Sequence, residues 1–219
     1  MATPAKSRRG LLITITVAAV GIGLAYVIDI SGGWVGRYSS TLISAVWLYL
    51  PLPFVLGRKK SPSDYGISWG SGLRGLGETL GMSAAVLVPF YVAFFRIYPM
   101  RWGIQAMPKG MPNLLLAQFL AVALPEEFFF RGWLQSELEG VFGKRWKIFG
   151  AEVGVGWVAA SLIFALGHVA LLAMPIRVAV IFPALVFGWA RARTGSVLYP
   201  AMMHTIFNFT FLIAQRMIV

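Results

Sequence analysis

Residues 11 to 28 read LLITITVAAVGIGLAYVI, eighteen positions without a charge. No other feature limits the fold as much. A helix of that length reaches about 27 Å, close to the ~30 Å hydrocarbon core of a bilayer. A cleavable signal peptide is the competing reading, but its apolar stretch normally runs only ~7–15 residues and leads to a small-x-small cleavage site. This run is longer and ends Tyr26-Val27-Ile28-Asp29. It is expected to remain as a first membrane span.

Further apolar runs at about 38–56, 79–97, 112–131, 154–173, 176–191 and 197–215 predict six more spans. The fold class expected is all-α: a polytopic membrane helical bundle of about seven transmembrane helices, forming one domain over 1–219. Two polar stretches fall between spans. Residues 61–78, rich in Gly and Ser, read as a cytoplasmic loop with an interfacial turn. Residues 133–149, WLQSELEGVFGKRWKIF, mix acids, bases and aromatics and predict an interfacial helix. Composition agrees: 58% of residues are hydrophobic and 12% charged, the latter about half the share of a soluble domain.

The net charge of +11 raises the question of nucleic acid. The basic residues sit in short clusters between apolar runs: Lys6, Arg8 and Arg9; Arg58, Lys59 and Lys60; Lys144, Arg145 and Lys147; Arg191 and Arg193. That is positive-inside patterning, with no basic stripe and no aromatic–basic interleaving, and no nucleic-acid partner is expected. With the N-terminus cytoplasmic, 13 of the 19 Lys and Arg fall on or near that side, although Arg96, Arg101 and Lys109 crowd one outer loop. The absence of cysteine removes disulfides, a thiolate nucleophile and Cys-ligated metals.

An ionisable group at mid-bilayer costs ~2.5–3.5 kcal/mol even on the lenient insertion scale, so it needs a partner or a task. The polar residues inside spans are few: Glu126, Glu127, Arg131, His168, His204 and Asn208, among them the only two histidines. Glu127 and Arg131 are four apart, share a helix face and should pair, with the arginine holding the acid ionised. Glu126 lies about 100° round the helix, free for other work. Pro125 removes a backbone donor and disfavours helical geometry at Leu124, so a kink or restart is expected, opening a pocket beside Glu126. His204 and Asn208 are also four apart. Each residue taken singly is explained as well by helix–helix glue or a capped carbonyl; together they form one constellation.

A carboxylate beside imidazoles suits activation of water, the acid taking a proton while the rings orient the water or steady an oxyanion. There is no HExxH zinc motif. Asp29 and Asp64, the only aspartates, lie outside the mid-membrane region, which removes an aspartyl dyad. Ser161, seven residues before His168, lacks a nucleophile-type turn.

EEFFFR at 126–131, FALGH at 164–168 and HTIFN at 204–208 resemble, in order and spacing, the motifs of the CAAX-protease and bacteriocin-processing (CPBP) family of intramembrane endopeptidases. GWARARTGSVLYPAMMH, 188–204, is similar to the family's approach to its last histidine. The resemblance covers about 112–212, a catalytic core, and leaves 1–111 unmatched. It implies that Glu126 is the general base, that His168 helps bind the water, that His204 and Asn208 stabilise the oxyanion, and that Glu127 and Arg131 support the helix. A metal reading competes, in which Glu126, His168 and His204 hold zinc with an open fourth position. The metal-free reading is preferred because no acid can be named behind either histidine.

The implied substrate is a membrane-anchored or lipid-modified protein cut near its C-terminus, either CAAX-type or, since FPALVFGWARARTGS at 182–196 resembles the myxosortases, a sorting tail. The expected location is the bacterial inner membrane. The alternative is a non-enzymatic membrane protein: a bacteriocin-immunity factor, or a small proton-coupled transporter, for which no inverted repeat is visible.

Overall fold

The computed structural model describes residues 4–57, 60–98, 110–172 and 175–217. Its helices are α1 (Pro4–Ile30), α2 (Gly33–Arg37), α3 (Ser39–Tyr49), α4 (Leu52–Leu56), α5 (Gly72–Ile97), α6 (Met111–Phe142), α7 (Val155–Leu172), α8 (Ile181–Thr194) and α9 (Leu198–Arg216). Helical segments thus stand wherever a span was expected, in an all-α bundle. Four are long and apolar enough to cross a bilayer: Arg8–Ile30, Ser39–Leu56, Gly72–Ile97 and Met111–Phe142. At 14 residues α8 reaches only about 21 Å, and the 3₁₀ turn Pro175–Val180 that leads into it adds roughly 12 Å.

Small residues let the first helices approach. Ala18 and Ala25 are buried on α1, and the space beside Gly21 is filled by Trp47, Leu50 and Phe129. In lipid, where burial of apolar surface drives no association, such close van der Waals packing is what holds helices together. Around it lies an aromatic core, with Trp47 4.7 Å from Phe129 and Phe130 edge-on to Phe164 at 4.9 Å between ring centroids.

Two expectations meet a different structure. Leu124 keeps helical angles (φ −64°, ψ −46°), so Pro125 does not break α6. A π-helical turn over Phe119–Ala123 absorbs it instead, and a second one runs through Phe128–Leu134. A widened turn accommodates the missing donor without ending the helix. Residues 133–149 are not an interfacial helix: α6 continues to Phe142, and an antiparallel hairpin follows, β1 (Lys144–Ile148) and β2 (Ala151–Gly154).

The loop after α4 is fastened to the α8–α9 junction. Val197 donates to the Gly66 carbonyl (3.0 Å), Arg191 to that of Asp64 (2.9 Å), and Tyr199 to those of Trp69 and Gly72 (2.9 Å each). Tyr65 and Lys60 both reach Glu137 at the end of α6. These bonds join the N-terminal helices to the C-terminal half.

Candidate active site

Glu127, fully enclosed on α6, accepts a hydrogen bond from Arg131 Nη1 at 2.9 Å, the pair its spacing predicts. The same oxygen, Oε1, lies 2.9 Å from Nδ1 of His204 on α9. With a carboxylate opposite, Nδ1 carries the proton and donates it, which leaves Nε2 of the ring turned to Glu126, 3.9 Å from its Oε2. Arg131 also donates to the Ala184 carbonyl on α8 and sits 4.1 Å above the Phe164 ring. Phe187 stacks on His204 with centroids 5.2 Å apart. A salt bridge buried this completely is stable only when its remaining bonds are made; Glu127 Oε1, Arg131 and His204 make theirs with one another, while Glu127 Oε2 is buried without a hydrogen-bond partner.

Glu126 has the opposite setting. Its Oε2 is buried without a hydrogen-bond partner, and its side chain lines a cavity of about 200 Å³. His168 lines it too, its Nδ1 3.1 Å from the Phe164 carbonyl; in that pairing Nδ1 donates and Nε2 keeps its lone pair. The cavity extends to Ser40 and Ser44 at the start of α3 and to Asp29 at the end of α1. It therefore opens at the end of the bundle where α1 and α7 finish.

The candidate residues are thus brought together in part. Glu126 and His168 share the cavity, and His204 meets Glu126 from the side while resting on Glu127. Asn208 is exposed, one turn from His204, in a groove with Leu114 and Gln118 between α6 and α9. The zinc set fares less well. Among the described residues no three His, Asp or Glu side chains are grouped to hold an ion, so Glu126, His168 and His204 do not fit a metal as they stand. Glu127 does supply the acid behind a histidine that could not be named from sequence. That ground for preferring the metal-free reading falls away.

Residues 108–210 match the family described as Type II CAAX prenyl endopeptidase Rce1-like. Over that stretch the chain is similar to the Rce1-like family. The matched segment, just under half of the chain, contains α6 to α9 almost entire, and with them Glu126, Glu127, Arg131, His168, His204 and Asn208. No curated protein and no solved structure matches. The likeness to the Rce1-like family points to a protease acting in the bilayer on membrane-protein substrates, and the four long apolar helices point to an integral membrane protein.

Sequence reasoning missed three parts of the site. The Glu127–His204 bond joins residues 77 apart on different helices, and no local spacing signals it. Phe187 looked like one more apolar residue of a span. Asp29 and the serines of α3 come from the half of the chain without motifs, where only the packing of α1 and α3 against α6 brings them to Glu126.

Proposed function

We propose that the protein is an intramembrane endopeptidase that hydrolyses a peptide bond near the C-terminus of a membrane-anchored protein, with Glu126 as the base. The observation that carries this is the contrast on α6: Glu126 lines a cavity shared with His168 and its Oε2 has no hydrogen-bond partner, while Oε1 of its neighbour Glu127 holds both Arg131 and His204.

Glu126 Oε2 takes a proton from water, and the hydroxide so formed attacks the scissile carbonyl carbon. The lone pair on His168 Nε2 orients the water. The C–N bond breaks as the tetrahedral intermediate collapses, and the proton passes to the departing amine. His204, protonated at Nε2 by the proton that Glu126 has taken from water, donates to the oxyanion before that proton leaves with the amine, and Glu127 at its back balances the ring's charge. Asn208, on the groove between α6 and α9, serves the backbone of a tail segment entering sideways from the lipid. Neither a sorting tail nor a prenylated one is favoured by these contacts.

The N-terminus is placed in the cytoplasm, on the strength of the basic clusters, and the membrane is taken to be a bacterial inner membrane. The test compares membrane proteins from cells carrying the unaltered chain or Glu126→Gln. A protein that keeps its C-terminal tail only with the variant is the substrate. If every tail is the same, hydrolysis is not the function and an immunity or transport role gains.

A further inference from the structure

The β1–β2 hairpin has a chemistry that catalysis does not use. We propose that it is a docking site for anionic phospholipid in the leaflet it faces, with Trp146 and Phe149 seated among the headgroups and Lys144, Arg145 and Lys147 on the phosphates. This does not depend on the enzymatic reading.

Position comes first. The hairpin joins Phe142 at the end of α6 to Val155 at the start of α7. Both are apolar helices of the bundle, so the connection lies at the membrane surface. It is also held rigidly. Ala151 and Val153 are buried against α8 in a cluster with Phe187, Trp189 and Met203. Trp189 donates to the Ile148 carbonyl at 2.9 Å and Arg193 to that of Gly150 at 3.2 Å. Lys147 pairs in register with Glu152 on the outer face, and the ladder bulges between Lys144 and Trp146.

What this clamp presents is three cations against one acid, Glu152, and two aromatic rings. Trp146 is 43% exposed and Phe149, at the tip, 81%. Phe149 has φ +45°, the one non-glycine residue with positive φ among those described. A phenylalanine held there at a cost, with its ring in the open, calls for a surrounding that repays it. Water does not, whereas the boundary between headgroups and acyl chains takes aromatic rings readily. Arg145 and Lys147 form no ion pair among the described residues, and Lys144 only a long one to Glu139 (3.9 Å). Anionic headgroups attract such cations strongly close to the surface. An acidic soluble protein would match the charge, but it would not account for two open rings beside a bilayer.

The full chain, unaltered or as Lys144→Gln/Arg145→Gln/Lys147→Gln, is reconstituted in phosphatidylcholine mixed with phosphatidylglycerol. Native mass spectrometry reads the ratio of the two lipids retained. Preference for phosphatidylglycerol in the unaltered chain, falling about tenfold or more in the variant, is expected; equal preference in both overturns the proposal, as does capture of an acidic protein in its place. A second variant covers a failure of the first to fold. Phe149→Gly relieves the positive φ, so it should raise the melting temperature in detergent and lose that gain in phosphatidylglycerol bilayers. A gain of the same size in both media also overturns the proposal.

Discussion

Neighbouring carboxylates on α6 are given opposite work by their surroundings. Glu127 has both a guanidinium and an imidazole on one oxygen, 2.9 Å from each, its other oxygen being unpaired, whereas Glu126 has only the 3.9 Å approach of His204 and its Oε2 makes no hydrogen bond. Glu126→Gln keeps the shape and removes the proton acceptor. Hydrolysis by the purified protein should fall by about 10²–10⁴-fold, with the melting temperature unchanged. Glu127→Gln is a different experiment. Its amide can donate to Nδ1 as well as accept, and so releases the tautomer that turns Nε2 to Glu126. Turnover should drop by at least about 10²-fold with little change in substrate affinity, and rate and KM measured together check the split. Arg131→Met leaves the Glu127 carboxylate enclosed without its guanidinium, at a cost of about 3–5 kcal/mol. Thermal unfolding in detergent should show the loss before any activity is assayed.

At the scale of elements, the site depends on how closely α7 can lie against the end of α6. A Cβ on Gly156 would stand 2.7 Å from the Leu138 carbonyl carbon and closer still to the Glu139 nitrogen, backbone atoms with no flexible end to move. Gly156→Val should therefore destabilise the fold by roughly 1–3 kcal/mol, read as a lowered melting temperature, and should displace His168 with α7. The same scale explains what the sequence made legible. Apolar runs located the helices because each must bury its own backbone bonds, and the four-residue spacing located the Glu127–Arg131 pair because both lie on one helix. Contacts between helices left no such mark: His204 reaches Glu127, and Asp29 reaches the cavity, only through packing. Lys144–Ile148 misleads for another reason. Its mixed polar and aromatic residues suit an interfacial helix and a strand equally, and Gly143 and Gly150, both at positive φ, settle it for the hairpin.

For the whole molecule, the two ends of the bundle differ in kind. One is fastened: the 60–72 loop bonds to the end of α6 and to the α8–α9 junction, with Arg193 and Glu78 joined at 2.6 Å nearby. The other holds the cavity mouth, with Asp29, Ser40 and Ser44 around it. A rigid end and an open end suit a site that must admit a substrate without loosening its catalytic helices. α1 runs from its basic start to Asp29 at the mouth, so the cavity faces away from the N-terminus. The proposed cytoplasmic N-terminus would put the mouth on the outer face of the membrane. The chain has no cysteine, so a single one can be placed without background. Ser40, exposed at the rim, is the position to use. Ser40→Cys should react with a membrane-impermeant maleimide in intact cells, and an Asp29→Lys partner substitution should change the rate for a charged maleimide by altering the potential at the mouth. Labelling that appears only after the membrane is permeabilised would turn the molecule over, put the mouth in the cytoplasm, and require a substrate whose scissile bond is presented there.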